Sequence, residues 1–339
     1  MFDYKKKLKI SKWDKDKIEY RFFLLGILFL ASAPFISVLL FIFPLFIKIL
    51  KNKNQIIRDK DNFPFILASF LILLKSFYQT FVPIDNNLGK WEHSLNWLGL
   101  VNWIPLFLCY FGFKHYLDNH EKRLKVSKLF IIGTVPVIIS CLGQFFFKWY
   151  GPFEIMNGLI KWFLRPLIYN QNVTGLFNNP NYAGIWLTMV FPLTLAVLNL
   201  KFLKAEKLKS ILVFIIASLL SISTILTNSR GAWIGLLITI PIFYGQRTLK
   251  WFIPALFLMI LIILFSFLPF VPNELQTFAN LLTPEIVSSK FSEITIGINT
   301  FPRLTIWKEA LNFIGDKPFW GWGAGTFPYL FGNKTNAWN

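Results

Sequence analysis

Histidine, cysteine and acidic residues are scarce in this chain, and each scarcity excludes something. There are only three histidines in 339 residues, His93, His115 and His120. None pairs with a second ligand at coherent spacing, so no metal site is expected. The two cysteines, Cys109 and Cys141, both lie inside apolar runs. That excludes a disulfide framework and reads as buried free thiols. The 17 acidic residues against 35 basic ones leave a net charge of +18. No cofactor is expected either. Gly321-Trp322-Gly323-Ala324-Gly325 has glycines enough for a phosphate loop but lacks a preceding strand and a following Lys-Ser/Thr. No cleavable signal peptide is expected, because the basic start from Lys5 to Arg21 precedes an apolar run too long for one.

What the chain has in abundance is apolar length. It is 55% hydrophobic and 18% aromatic, more apolar surface than a water-soluble domain can hide. Apolar runs fall near 22–47, 63–81, 93–113, 128–147, 180–200, 210–226, 231–245 and 251–270. The first is too long for one untilted span and is interrupted by Ala31-Ser32-Ala33-Pro34. Both its flanks are basic, Lys5 to Arg21 before it and Lys48 to Lys60 after it, so both belong on the cytoplasmic side. An even number of crossings follows: two short helices broken near Pro34, or a re-entrant hairpin. Alternating the remaining loops puts 24 basic residues inside and 10 outside, with Lys75 alone within a span. The positive charge is therefore a signal of topology and of anionic-lipid contact, and nucleic acid is excluded as a partner. The expected fold is all-α and polytopic, with about nine transmembrane helices. Residues 1–21 form a basic cytoplasmic terminus, 22–270 the membrane domain, and 271–339 a partly helical extracytoplasmic loop.

Few residues in this scaffold are suited to chemistry. Arg230, in Thr227-Asn228-Ser229-Arg230-Gly231-Ala232-Trp233, opens the shortest run, about 22 Å for 15 residues. An arginine there either snorkels to headgroups or acts as an anion clamp, a planar charged fork suited to a pyrophosphate. Gly231 would allow close backbone approach, and the helix N-terminus adds N–H groups aimed at the same anion. Arg303 follows Pro302, which suggests a helix start. Leu304, Trp307, Leu311 and Ile314 then recur at helical spacing, giving an amphipathic helix on the outer surface or on the bundle. Arg303 on that helix is either solvated or part of the clamp. Lys75, about 9 Å from the outer end of its span, either snorkels or adds charge to an outer cavity. In Asn178-Asn179-Pro180-Asn181, the amides either cap a helix or line a sugar or phosphate site. His115 and His120 read as solvated loop residues, and His93 as an interfacial anchor.

Three segments in order resemble a known family. Val173-Thr174-Gly175-Leu176-Phe177-Asn178-Asn179-Pro180-Asn181 is similar to the Gly-x-Phe-x-Asn-Pro-Asn signature of the O-antigen ligase and polymerase superfamily. Asn228-Ser229-Arg230-Gly231 resembles its Ser-Arg-Gly helix start. Arg303-x-x-x-Trp307, with Pro318-Phe319-Trp320-Gly321-Trp322-Gly323-Ala324-Gly325-Thr326-Phe327 after it, resembles its large extracytoplasmic loop. The resemblance implies about a dozen helices with that loop after the ninth. It also implies transfer of a glycan from an undecaprenyl-pyrophosphate carrier to a lipid or glycan acceptor, without metal or nucleotide sugar. Arg230 and Arg303 match the family arginines taken to hold the pyrophosphate. Lys75, Asn178, Asn181 and Trp307 are the expected substrate-binding residues.

The family's loop histidine would lie beyond Asn339, so the chain is expected to be C-terminally truncated and inactive by itself. The expected location is the bacterial inner membrane, with an inside N-terminus and 271–339 in the periplasm. A cyanobacterial branch similar to this superfamily carries the label of bicarbonate transporter, which makes anion transport the rival expectation. A third is a polymerase partner that docks envelope proteins through 271–339.

Overall fold

The computed structural model of the chain describes residues 18–82, 94–167, 172–203, 205–267, 271–282 and 302–335. Most of the basic N-terminus (1–17), Lys90, His93 and the segments 283–301 and 336–339 lie outside the described residues. Among the described residues the protein is all-α apart from one small hairpin. Among the described residues, six helices are long and apolar enough to cross a membrane, and a shorter apolar helix covers Arg230–Tyr244.

The first apolar run breaks where proline predicts. Helix α1 covers residues 18–29, a turn covers 30–32, and α2 (Pro34–Arg58) begins at the proline, whose missing N–H costs nothing in a first turn. The two helices touch closely. Ser37 Oγ donates to Gly26 O at 2.7 Å, and a Cβ on Gly26 would lie 2.4 Å from the Phe41 ring. α2 continues through 48–58, which the sequence reading treats as loop. Lysine, arginine and glutamine are good helix formers, so leaving the apolar run does not end the helix. It only kinks, at Asn52, where Asn52 Nδ2 donates to Lys48 O. After a turn at Lys60–Asn62 comes α3 (Phe63–Phe81). The run at 93–113 is likewise two helices, α4 (Ser94–Leu100) and α5 (Ile104–Phe113), separated by a turn at 101–103. Pro105, in the first turn of α5, has no N–H to bond Val101 O and its ring would clash with that carbonyl in a continuous helix, which explains the break.

Then follow α6 (His120–Phe147), the antiparallel hairpin β1 (Phe153–Ile155) and β2 (Ile160–Trp162), α7 (Pro180–Leu203), α8 (Lys207–Leu226), α9 (Arg230–Tyr244), α10 (Gln246–Phe267) and α11 (Asn273–Leu282). The last elements are α12 (Pro302–Asp316) and α13 (Phe327–Thr335). The contacts divide the chain into two compact units, Met1–Pro44 with Tyr116–Ile286, and Leu45–His115 with Val287–Asn339.

In the first unit α7 is central, packing against α6, α8 and α9. Its core joins Val137, Ile138 and Cys141 of α6 to Leu187, Val190 and Phe191 of α7 and Leu220 of α8. Small residues let these helices approach. Gly133 faces Leu28 O, and Trp186 Nε1 donates to Thr134 Oγ1 at 3.0 Å. Cys141 is a buried free thiol, as expected, and Cys109 is a half-buried one.

In the second unit, α3 pairs with α4 and α5, and α12 with α13. A polar corner secures the base of α3. Lys114 Nζ meets Asp59 Oδ2 at 2.6 Å and Asn62 Oδ1 at 3.1 Å, and Asn62 Nδ2 donates to Ile56 O. His120 is exposed, as the sequence reading has it, whereas His115 is half-buried in the turn before α6.

Candidate functional site

Two of the three motif segments form one platform in the first unit. Asn179 is an N-cap: its Oδ1 accepts from Asn181 N at 2.8 Å, and Pro180 is the first residue of α7. Asn178 and Asn181 themselves are exposed. α9 starts at Arg230 after Asn228, a left-handed residue at φ 55°, and extended Ser229, whose side chain does not cap the helix. Asparagine is one of the few residues that accepts that backbone cheaply.

The two helix starts lie against each other. A Cβ on Gly184 would lie 2.8 Å from Ala232 Cβ and 3.1 Å from Ser229 Cβ and Thr227 Oγ1. One turn further along, a Cβ on Gly235 would meet Thr188, whose hydroxyl donates to Ala232 O at 3.2 Å. α7 and α9 therefore run parallel with their N-termini at one level, and the partial positive charges of two helix starts add there. Arg230, half-buried, stands at the first position of α9, and nothing lies within 4 Å of where a Cβ on Gly231 would be. The platform is open where close approach to backbone would matter.

The residue that holds the platform together was not singled out from the sequence. Gln144, fully buried in α6, accepts at Oε1 from Thr174 N (2.9 Å) and Gly175 N (3.0 Å), and its Nε2 donates to Arg165 O. Val173 N adds a bond to Leu226 O at the end of α8. Gly175 has φ +53°, and a Cβ there would lie 2.8 Å from Cys141 Sγ, so close approach and backbone both require glycine. A lone glutamine in an apolar span was the available signal. Asn228 was also missed: its Oδ1 is buried and accepts no hydrogen bond among the described residues.

Arg303 and Trp307 are in the second unit. Both are exposed on α12, one turn apart, and Pro302 begins the helix as expected. Arg303 has no carboxylate partner among the described residues. The stripe Leu304, Trp307, Leu311 and Ile314 is 46–67% exposed, and the buried anchor of α12 is Phe313, packed edge-on to Trp322 and Phe327. Hydrophobicity alone could not distinguish the anchor from the exposed stripe. Glu309 Oε2 takes Lys334 Nζ at 2.6 Å, tying α12 to α13, and this hydrogen bond holds the Glu309 carboxyl below the usual range.

The glycine-rich stretch folds back on α3 and α4. Gln79 Nε2 donates to Trp322 O, and Trp322 Nε1 donates to Phe313 O at 2.7 Å. Gly99 of α4 lies against Ala324, where a Cβ would come 2.2 Å from the carbonyl oxygen. Lys75 lines a cavity of about 480 Å³ in this unit, together with Lys317 and the stretch that follows it.

A stack of apolar helices whose polar residues gather at helix starts and re-entering loops defines a polytopic α-helical membrane protein. Residues 212–339 match the family model described as O-antigen ligase, a match over the C-terminal part of the chain that supports the O-antigen ligase and polymerase superfamily. The matched segment contains Arg230, Arg303 and Trp307, while Lys75, Asn178 and Asn181 precede it. The match supports an O-antigen ligase-like function in general and a multi-pass bacterial membrane protein, with lipid-linked glycans as the class of substrate. No curated protein and no solved structure matches the chain significantly.

Proposed function

We propose that the protein transfers or polymerises a glycan carried on undecaprenyl pyrophosphate, at the periplasmic face of the inner membrane. The observation that carries this reading is the pair of parallel helix starts, α7 and α9, with Arg230 at the first position of one and open space over Gly231. In such a transfer the acceptor hydroxyl attacks the anomeric carbon, the bond to the pyrophosphate breaks, and negative charge grows on the leaving group. Fixed positive charge at that point lowers the barrier, and a permanently charged guanidinium supplies it at any working pH. Arg230 and the helix N-termini would stabilise the leaving pyrophosphate. The other proposed pyrophosphate ligand, Arg303, is on the second unit, with Trp307 one turn along α12 as a candidate stacking surface for a glycan. Asn178 and Asn181, both exposed, offer hydrogen bonds a sugar would need. The acceptor's proton must pass to a base, and neither arginine can take it.

The test is glycan transfer from undecaprenyl-pyrophosphate donor to acceptor in proteoliposomes carrying the full-length protein. Arg230→Ala and Arg303→Ala should each lower turnover by about 100-fold or more, the scale of losing one preorganised charge stabiliser. Gly231→Ala should leave the melting temperature unchanged or slightly raised, since alanine is the better helix former by up to about 1 kcal/mol. Its transfer rate should nonetheless fall, because the new methyl occupies the approach to the backbone. Unchanged turnover in both arginine variants would overturn the assignment.

A further inference from the structure

The cavity of the second unit has a chemistry that the clamp does not use. Its walls are Lys75, Tyr78 and Gln79 from α3 and Lys317, Phe319 and Trp320 from the segment after α12. About 480 Å³ lies within the range of small-ligand pockets. Among the described residues neither lysine has a carboxylate partner. Each ammonium instead lies over an aromatic face: Lys317 Nζ is 3.9 Å from the centre of the Trp322 ring, and Lys75 Nζ is 5.5 Å from that of Tyr78. A cation–π contact steers an ammonium group without neutralising it, so two lysines without a carboxylate partner among the described residues border one small space. Uncompensated charge at the edge of an apolar span is costly unless a counter-ion arrives.

The exposed rings at the cavity point to a ligand larger than a simple ion. Phe319 is 95% and Trp320 66% exposed at the cavity, flat apolar surfaces that cover nothing in the protein. Asn96, next to Gln79, is wholly buried, and neither atom of its side-chain amide has a hydrogen-bond partner among the described residues. Gly323, at φ +104°, backs onto both Asn96 and Gln79, with a would-be Cβ 2.8 Å from Asn96 Oδ1. Aromatic faces and ammonium groups together are the recognition set for a sugar that carries an acid: the rings stack on its C–H face and the lysines meet the anion.

We infer that this cavity is a binding site for an acidic saccharide unit, one bearing a carboxylate or phosphate, and so selects which glycan the protein handles. That the ligand is a saccharide rests on the transfer reading above. The site itself is tested by equilibrium binding with no donor lipid present, so a failed transfer assay and a failed binding assay remain distinguishable.

The experiment uses the full chain in phosphatidylcholine nanodiscs, with cellobiouronic acid as the probe and cellobiose and inorganic phosphate as comparisons, read by saturation-transfer NMR and titration. The acidic disaccharide should bind at least tenfold more tightly than either comparison. Lys75→Gln and Lys317→Gln should each weaken it about tenfold, Lys317→Arg should restore most of the loss, and Trp320→Ala should weaken it by a similar factor. Should Lys75→Gln fail to fold, the variants of half-buried Lys317 and exposed Trp320 decide. Equal binding of cellobiose would overturn the inference. So would phosphate binding as tightly with no dependence on Trp320. Loss of probe binding in phosphatidylglycerol nanodiscs would make the cavity a lipid-headgroup site and overturn it as well.

Discussion

Each of the two units fastens a motif-bearing loop with one glutamine taken from an apolar helix, yet the surroundings differ. In the first unit Gln144 bonds Thr174 N, Gly175 N and Arg165 O at the edge of a closed core formed by α6, α7 and α8. In the second, Gln79 bonds Trp322 O on the wall of an open cavity bordered by lysines and uncovered aromatic rings. A buried amide surrounded by apolar side chains has no water to fall back on, so its partners are fixed. The first arrangement suits a preformed anion platform whose geometry must not move. The second leaves its charges to be answered from outside. Both glutamines are buried, so the difference teaches that the same device serves preorganisation or selectivity according to what surrounds the loop it fastens, a closed apolar core or lysines and uncovered rings.

Removing Gln144 should produce the largest effect on the closed side. Gln144→Ala leaves two buried N–H groups without partners and should cost on the order of 3 kcal/mol, read as lowered thermal stability in detergent. A loss below about 1 kcal/mol would mean that the 173–179 loop is held by something other than this side chain. On the open side Gly99→Ala comes next. The added methyl meets the backbone of Ala324 rather than a side chain that could swing away, so the glycine-rich stretch must shift, at about 1–3 kcal/mol. Hydrogen exchange should rise at 321–327 and remain at the parent level at 173–179. Equal rises in both segments would break the distinction between the units.

The smallest effect is a surface control in the first unit. Glu206, between α7 and α8, accepts from Lys209 and Lys201, and these hydrogen bonds pull its carboxyl from an ordinary 4.5 to about 2. A depressed carboxylate pKa contributes stability that is full above about 4.5 and is lost as pH falls towards 2. Glu206→Gln should therefore lower the melting temperature slightly at neutral pH, and the gap to the parent should close over that acidic window. A gap unchanged across it would remove the ion pairs as its cause.

Much of the fold was legible one-dimensionally, and particular elements show why. The break at Pro34, the start of α12 at Pro302, the cap and proline opening α7, and the short α9 behind Arg230 are all local effects of backbone chemistry. The extension of α2 through its lysines and the turn splitting α4 from α5 were less legible, because a hydropathy run marks where lipid lies rather than where helices end. The site was legible in part. Asn178, Asn181 and Arg230 fall on one unit, and Lys75, Arg303 and Trp307 on the other. Gln144 and Asn228 were overlooked because a polar side chain in a span gains meaning only from what it faces.

The sequence by itself determined that this is a many-helix membrane protein with a few cations where helices start and loops return. Apolar length, proline, caps and basic flanks act over a few residues, so they can be read from order alone. Only the tertiary structure decided that Gly184 and Gly235 let α7 and α9 run parallel with their starts together, that Phe313 rather than Trp307 anchors α12, and that Lys75 and Lys317 border one cavity. Those facts depend on residues tens to hundreds of positions apart meeting within a few ångströms. Such contacts are set by packing, which no local pattern encodes.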